Sequence, residues 1–149
     1  MTRLLDAPRE LVFRMWTEPD HMAQWWGPEG FTNPICEIDL RVGGSWLIVM
    51  QSSDGNRQTV QGVYREIVPP ERIVFTNVAI GPDGSPVLDG VTTVTLEDLG
   101  ERTRLILHTE VTAFSAEAAL RLDGMEAGWS QSLDRLIDAA ASRKKWEPR

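Results

Sequence analysis

The spacing of apolar residues changes period twice along this chain, and these changes limit the folds that it can adopt. Near the start, Pro8 and Pro19 each begin a short stretch with apolar side chains at helical spacing. From Phe31 to Val111, apolar and polar residues alternate instead, as in strands with one buried face. After Phe114 the helical spacing returns and predicts one long helix. Consecutive strands without intervening helices predict an antiparallel sheet.

Turn signals divide the alternating region into strands. The turn signals at 43–44, 54–55, 69–70, 81–84 and 99–101 separate a run of about six strands. Met1 to Leu5 is expected to form a short strand before the two short helices. A curved sheet that closes over an amphipathic helix buries the apolar faces of both. The sequence therefore predicts an α+β fold in which a curved antiparallel sheet wraps around a long C-terminal helix.

Length and charge restrict the class of protein. The chain has 149 residues, so we expect a single domain over residues 1–149. Its net charge of -7 disfavours binding to nucleic acid, which needs clustered Lys and Arg. No apolar run is long enough to span a bilayer, and no secretory signal is recognised, so we expect no membrane insertion. The single cysteine, Cys36, fits a cytoplasmic location.

A series of segments resembles the AHSA-type family, the homologues of the activator of the heat-shock-protein-ninety ATPase within the START-like (SRPBCC) superfamily. In order, these segments are Asp6-Ala7-Pro8-Arg9-Glu10-Leu11-Val12-Phe13, Trp16-Thr17-Glu18-Pro19, Gln24-Trp25-Trp26-Gly27-Pro28, Asp39-Leu40-Arg41-Val42-Gly43-Gly44, Gly62-Val63-Tyr64, Pro69-Pro70-Glu71-Arg72-Ile73-Val74-Phe75-Thr76 and Gly128-Trp129. The resemblance covers nearly the whole chain. It implies the helix-grip fold, with a cavity between the sheet and the long helix. Relatives usually carry a longer first strand than this chain.

Catalytic and metal-binding patterns are not found in the sequence. His21 and His108 have no partners at metal-ligand spacing, and we expect His21 on an exposed helix turn. Cys36 alternates with Ile38 and Leu40, so it is expected to be a small core residue rather than a nucleophile. Nucleophile-elbow, dinucleotide and Walker motifs are absent. We therefore expect no catalytic residues, no metal and no cofactor.

Aromatic and long apolar residues are the candidates for a ligand site, because pockets and cores are lined by the same residue types. A core filled by these side chains is almost as good an interpretation as a ligand cavity. The resemblance to the family favours the cavity. Tyr64, Ser132 and Thr92 are its candidate polar groups. The candidate ligand-binding residues are Trp16, Trp26, Phe31, Trp46, Ile48, Met50, Tyr64, Phe75, Met125, Trp129 and Leu133.

The leading hypothesis is a non-enzymatic protein that binds a small, mostly apolar molecule between sheet and helix. One alternative is a co-chaperone-like, stress-response interaction module, which the resemblance implies. Another is an enzyme of the cyclase or hydrolase kind found elsewhere in the superfamily, which needs an acid–base pair inside the cavity. A homodimer is also expected, because Leu47 and Val49 lie on the strand face opposite Trp46 and the first strand is short.

Overall fold

The computed structural model describes residues 1–81, 84–114 and 122–146. Its strands are β1 (Thr2–Leu5), β2 (Thr32–Ile38), β3 (Ser45–Gln51), β4 (Arg57–Val68), β5 (Arg72–Ile80), β6 (Pro86–Asp98) and β7 (Thr103–Phe114). Its helices are α1 (Arg9–Thr17), α2 (Pro19–Trp25) and α3 (Leu122–Trp146). The order of elements agrees with the order expected from the sequence. No helix among the described residues is long and apolar enough to cross a membrane.

All strands join one antiparallel sheet in the order β1-β7-β6-β5-β4-β3-β2. The sheet has one strand more than the six or so expected, because β1 pairs with β7 over four positions, from Thr2 opposite Ile106 to Leu5 opposite Thr103. Since β1 and β2 lie at opposite edges, α1 and α2 carry the chain across the whole width of the sheet. The architecture is the α+β helix-grip fold that the sequence predicts.

The strand register divides the sheet into an inner face, which is buried, and an outer face. Tyr64 lies opposite Phe75, and Phe75 lies opposite Thr92, so these three side chains share the inner face. Trp46 lies on the same face opposite Gly62. The alternate residues, Leu47 among them, lie on the outer face and are exposed or half-buried. One buried face per strand is the cause of the alternation in the sequence.

Gly62 allows the Trp46 side chain to cross the inner face. The indole Nε1 of Trp46 donates a hydrogen bond to the carbonyl oxygen of Thr76 on β5, at 3.1 Å. The backbone N–H of Val63 donates to the Thr76 hydroxyl instead, at 2.9 Å. A Cβ atom on Gly62 would lie 1.8 Å from the Thr76 oxygen. No side chain therefore fits at position 62 unless the backbone of β5 moves.

A hydrogen bond from the Trp25 indole stabilises the junction between α1 and α2. A helical carbonyl normally accepts from the N–H four residues later, but residue 19 is a proline and has none. The Met15 carbonyl, four residues before Pro19, instead accepts a hydrogen bond from Trp25 Nε1 at 2.9 Å. Trp25 is fully buried. The bond therefore links the end of α2 to the last turn of α1.

Helix α3 packs its apolar stripe on the inner face. Leu133, Leu136 and Ala140 are buried, as the helical spacing predicts, and Trp129 is half-buried. The Oγ of Ser130 accepts a hydrogen bond from Arg3 at 3.1 Å, which ties the helix to β1.

Arg135 of α3 binds the segment that follows α2. Its guanidinium donates hydrogen bonds to the carbonyl oxygens of Trp26, Gly27 and Pro28 at 2.9–3.1 Å, and to that of Gln24 at 3.2 Å. Carbonyls at the end of a helix lack partners within it, and a cation there is favoured by the helix dipole. Partial burial lowers the pKa of Arg135, and Glu29 opposes that shift. Arg135 therefore joins α2 to α3.

Candidate functional site

The predicted aromatic residues come together between the sheet and the helices. Trp16 is at the centre, fully buried, with ring centroids of Trp26, Phe75 and Trp129 at 6.2–6.4 Å. We call the connected rings the aromatic cluster. It consists of Trp16, Trp25, Trp26, Trp46, Tyr64, Phe75 and Trp129. Most of these pairs are edge-on or tilted, which is the geometry that aromatic quadrupoles favour.

The aliphatic candidates surround the cluster. Ile48, Met50 and Leu133 are buried in the same core. Phe31 is half-buried and lies beside Gly27, whose added Cβ would be 3.6 Å from Phe31 and 3.0 Å from the Met50 sulfur. Met125 lies outside the residues whose side chains the structure describes.

Trp25 belongs to the cluster but was missed as a candidate. Its ring centroid lies 4.5 Å from that of Trp16, the shortest separation among the ring pairs described. The sequence does contain a signal, because Met22, Trp25 and Trp26 follow Pro19 in a short helix. What the spacing could not show is that the Trp25 side chain turns back to α1.

The candidate polar groups lie on the inner face or at its border. Ser132 Oγ accepts a hydrogen bond from the backbone N–H of Gly27 at 3.1 Å. Thr92 Oγ1 donates to Asn77 Oδ1 at 2.8 Å and lies 3.0 Å from Thr109 Oγ1. Asn77, which is buried, was not recognised from the sequence. Burial raises the pKa of Tyr64, so its hydroxyl is neutral at any physiological pH.

One buried polar atom in the cluster has no partner. The Nε1 of Trp16 is buried and makes no hydrogen bond. By contrast, the indole N–H groups of Trp25 and Trp46 both donate to backbone carbonyls. Most buried donors in proteins are paired, so an unpaired one requires an explanation.

Among the described residues, burial on the inner face decreases toward one end. Ile48 is fully buried, but the residues beside it across the sheet, Val60, Ala79 and Leu88, are only half-buried. Apolar side chains on this face therefore remain accessible next to the aromatic cluster.

A separate depression of about 340 Å³ lies at the β2–β3–β4 edge. Its lining includes Glu37, Leu47 and Gln61, which share the outer face because they are register partners. Trp46 and Gly62 also contribute to its lining. This depression was not predicted from the sequence, since it depends on how the 39–44 loop folds beside β4 through hydrogen bonds between Tyr64 and both Gly43 and Gly44.

Cys36 is half-buried, and its environment opposes ionisation. Burial raises its pKa to about 11, and the negative charges of Asp20 and Glu37 add to the shift. The thiolate is the reactive form of cysteine. We expect alkylation of the native protein to accelerate about tenfold per pH unit from pH 8 to pH 10. Measured rates with iodoacetamide that level off near pH 9, as for an ordinary thiol, would contradict this.

Within the part of the chain that the structure describes, neither histidine belongs to a group of three or more potential metal ligands. His21 is buried beside Glu18, with Nε2 3.5 Å from the carboxylate, so the expectation of an exposed histidine is wrong. The physical reason is that the side of α2 that carries His21 is covered by the rest of the protein, as Met22 and Trp25 of the same helix are. His108 is exposed on the outer face. Among the described residues, no three His, Cys, Asp or Glu side chains lie close enough to hold a metal ion.

The sequence matches the model of a known protein family over most of its length. The family model described as "Activator of Hsp90 ATPase homolog 1-like protein" matches residues 6–141. No curated protein matches the chain at a significant level.

Solved structures resemble the chain over nearly its whole length. A protein from Chromobacterium violaceum is 32% identical, with a TM-score of 0.81 and coverage of 94% of each chain. An AHSA1 protein from Silicibacter pomeroyi is 27% identical, with a TM-score of 0.78 and coverage of 96% of each chain. A protein from Nitrosomonas europaea is 24% identical, with a TM-score of 0.79 and coverage of 98% of this chain and 95% of its own. At this identity the similarity shows the fold alone. The chain therefore belongs to the family of Activator of Hsp90 ATPase homolog 1-like proteins, within the START-like (SRPBCC) superfamily.

Proposed function

We propose that this protein acts as a single cytoplasmic domain that binds a small, mostly apolar molecule between the inner face of the sheet and α3, without catalysing a reaction. The observation that carries the proposal is the incomplete closure of this region. Trp129 and Phe31 are only half-buried, whereas Trp16, Trp26 and Phe75 are buried. A ligand that covers the half-buried rings gains burial free energy at no cost to the core.

The open end of the inner face supports the same proposal. Val60, Ala79 and Leu88 offer half-buried apolar surface in line with Ile48. A molecule seated there would contact aliphatic side chains on one side and the aromatic cluster on the other. Such mixed aliphatic and aromatic linings are typical of small-molecule sites.

The polar groups on this face favour binding over catalysis. Among the described side chains, they include the hydroxyls of Ser132, Thr92 and Tyr64 and the amide of Asn77, none of which titrates near neutral pH. Proton transfer needs groups with pKa values near the working pH. Hydroxyl and amide groups instead orient a neutral ligand by hydrogen bonds.

The test is a titration with the neutral fluorescent probe N-phenyl-1-naphthylamine. We expect saturable binding to the native protein at near-unit stoichiometry, with quenching of tryptophan emission. Ala79→Phe would place a ring into the open end of the inner face and should weaken binding about tenfold or more. Val78→Phe is the matched control, because adjacent residues of a strand point to opposite faces.

Two outcomes would contradict the proposal. Binding that begins only when the protein is partly unfolded by urea would show that the native state has no site. If Ala79→Phe and Val78→Phe weakened probe binding equally, or if only Val78→Phe weakened it, the site would not lie on the inner face.

A second candidate function is a co-chaperone-like interaction. It is favoured by the loop between β2 and β3, where Leu40 is 44% exposed and Val42 is 64% exposed. Exposed apolar side chains of this kind are common at protein interfaces. If this function is correct, the protein should raise the ATP hydrolysis rate of an Hsp90-type ATPase, and Val42→Ser should reduce the stimulation. An unchanged hydrolysis rate would leave ligand binding as the function.

We also propose a homodimer formed through the outer face. Leu47 and Val49 are half-buried there, and Ile35 and Val63 beside them are both 39% exposed. Pairing of two such faces would remove this surface from water. Sedimentation velocity should show a concentration-dependent dimer that Leu47→Lys abolishes. A monomer across the whole accessible concentration range would contradict the proposal.

A further inference from the structure

We infer that the ligand carries a neutral hydrogen-bond acceptor, of the ketone or ester carbonyl class, that takes the N–H of Trp16. The inference rests on the proposed function and narrows the class of ligand from apolar molecules in general to those with one such acceptor. It comes from a comparison of three indole groups in the same core.

Three buried indoles of the cluster differ in whether their N–H is paired. Trp25 Nε1 donates to the Met15 carbonyl at 2.9 Å, and Trp46 Nε1 donates to the Thr76 carbonyl at 3.1 Å. Trp16 Nε1 is buried without a partner. An unsatisfied buried donor costs free energy that a bound acceptor would recover. The fold has thus satisfied two of these donors internally and left the third for another molecule.

The surroundings of Trp16 show where the acceptor can approach. Trp25, Trp26 and Phe75 are buried, so they close three sides of the ring. Trp129 stacks on Trp16 at 6.2 Å with an interplanar angle of 28°, and it is the half-buried member among these neighbours. Because Trp129 is the more exposed neighbour, it marks the side of Trp16 from which we infer that the acceptor approaches.

A neutral acceptor fits the site better than an anion. Two described cations contact α3 or belong to it: Arg3 of β1 donates to Ser130 Oγ, and Arg135 of α3 donates to backbone carbonyls. Both guanidinium groups therefore already have acceptors. Burial of an unpaired anion among aromatic rings would be very costly. A carbonyl oxygen needs only one donor, which Trp16 supplies.

The test uses two ligands of nearly identical shape, 2-acetylnaphthalene and 2-isopropenylnaphthalene. The ketone oxygen of the first is replaced by a CH2 group in the second. Dissociation constants are measured for the native protein, for Trp16→Phe and for Trp25→Phe. The ratio of the two constants is compared between proteins, so that the difference in hydration between the ligands cancels. We expect the preference for the ketone to fall about tenfold in Trp16→Phe and to stay unchanged in Trp25→Phe.

The outcomes separate this inference from the proposed function. If both ligands bind and Trp16→Phe leaves their ratio unchanged, the acceptor inference is wrong while ligand binding stands; the N–H would then point at the face of a neighbouring ring such as that of Trp25. If neither ligand binds the native protein, the proposed function itself fails, and the inference fails with it.

A second measurement does not depend on variants that must fold. In the ¹H–¹⁵N spectrum of the native protein, the indole proton of Trp16 should move downfield on addition of the ketone and not on addition of the hydrocarbon. The indole protons of Trp25 and Trp46, which already have acceptors, should show no such difference. Equal shifts of the Trp16 proton with both ligands would overturn the inference.

Discussion

Replacement of Gly62 by alanine is expected to destabilise the protein by about 3 kcal/mol or more. The added Cβ would lie 1.8 Å from the carbonyl oxygen of Thr76 and 2.8 Å from Trp46 Nε1. It would therefore separate the indole from the carbonyl that it binds, and no side-chain rotation can relieve a contact with the backbone. Urea denaturation followed by circular dichroism measures the loss.

Gly128 provides the matched control. It lies in α3, and an added Cβ there would meet nothing within 4 Å. Because glycine is a poor helix former, Gly128→Ala should stabilise the protein by about 0.5–1 kcal/mol. A Gly62→Ala protein as stable as the native one would show that β4 and β5 do not approach as described.

Replacement of Arg135 by methionine is expected to cost about 3 kcal/mol of stability. Methionine keeps much of the length of the side chain but cannot donate to the carbonyls of Trp26, Gly27 and Pro28. At least three part-buried acceptors would lose a charged donor, at about 1 kcal/mol each. The loss should be visible as a lower urea midpoint with an unchanged slope.

Arg135→Lys separates charge from geometry. An ammonium group keeps the charge but lacks the planar fork that reaches several carbonyls together. We expect this variant to lose roughly half as much stability as Arg135→Met. If lysine restored the full stability, the helix dipole alone would account for the role of Arg135. If neither variant lost stability, the link between α2 and α3 would be of no energetic importance.

The order of elements could be predicted from the sequence because each strand buries one face and α3 buries one stripe. Trp46, Ile48 and Met50 alternate along β3, and all three are buried. Leu133 and Leu136 recur at helical spacing, and both are buried. Local periodicity carries this information, so no knowledge of distant contacts is needed.

The contacts that build the site could not be predicted in the same way. Arg135 and Trp26 are separated by 109 residues, and their hydrogen bond depends on how α3 crosses α2. The role of Trp25 depends partly on Pro19, whose lack of an N–H is evident from the sequence. It also depends on how the two short helices are placed relative to each other, which the sequence does not reveal. The unpaired state of Trp16 Nε1 depends on the positions of all the rings around it.

Intermolecular nuclear Overhauser effects between N-phenyl-1-naphthylamine and the protein test the central claim most directly. If the site lies between the inner face and α3, the protons of the probe should show contacts to Trp129, Leu133 and Ala79, and none to the outer-face residues Leu47 and Gln61. Contacts to Leu47 and Gln61 alone would place the probe in the outer depression and contradict the proposal that the inner face holds the ligand.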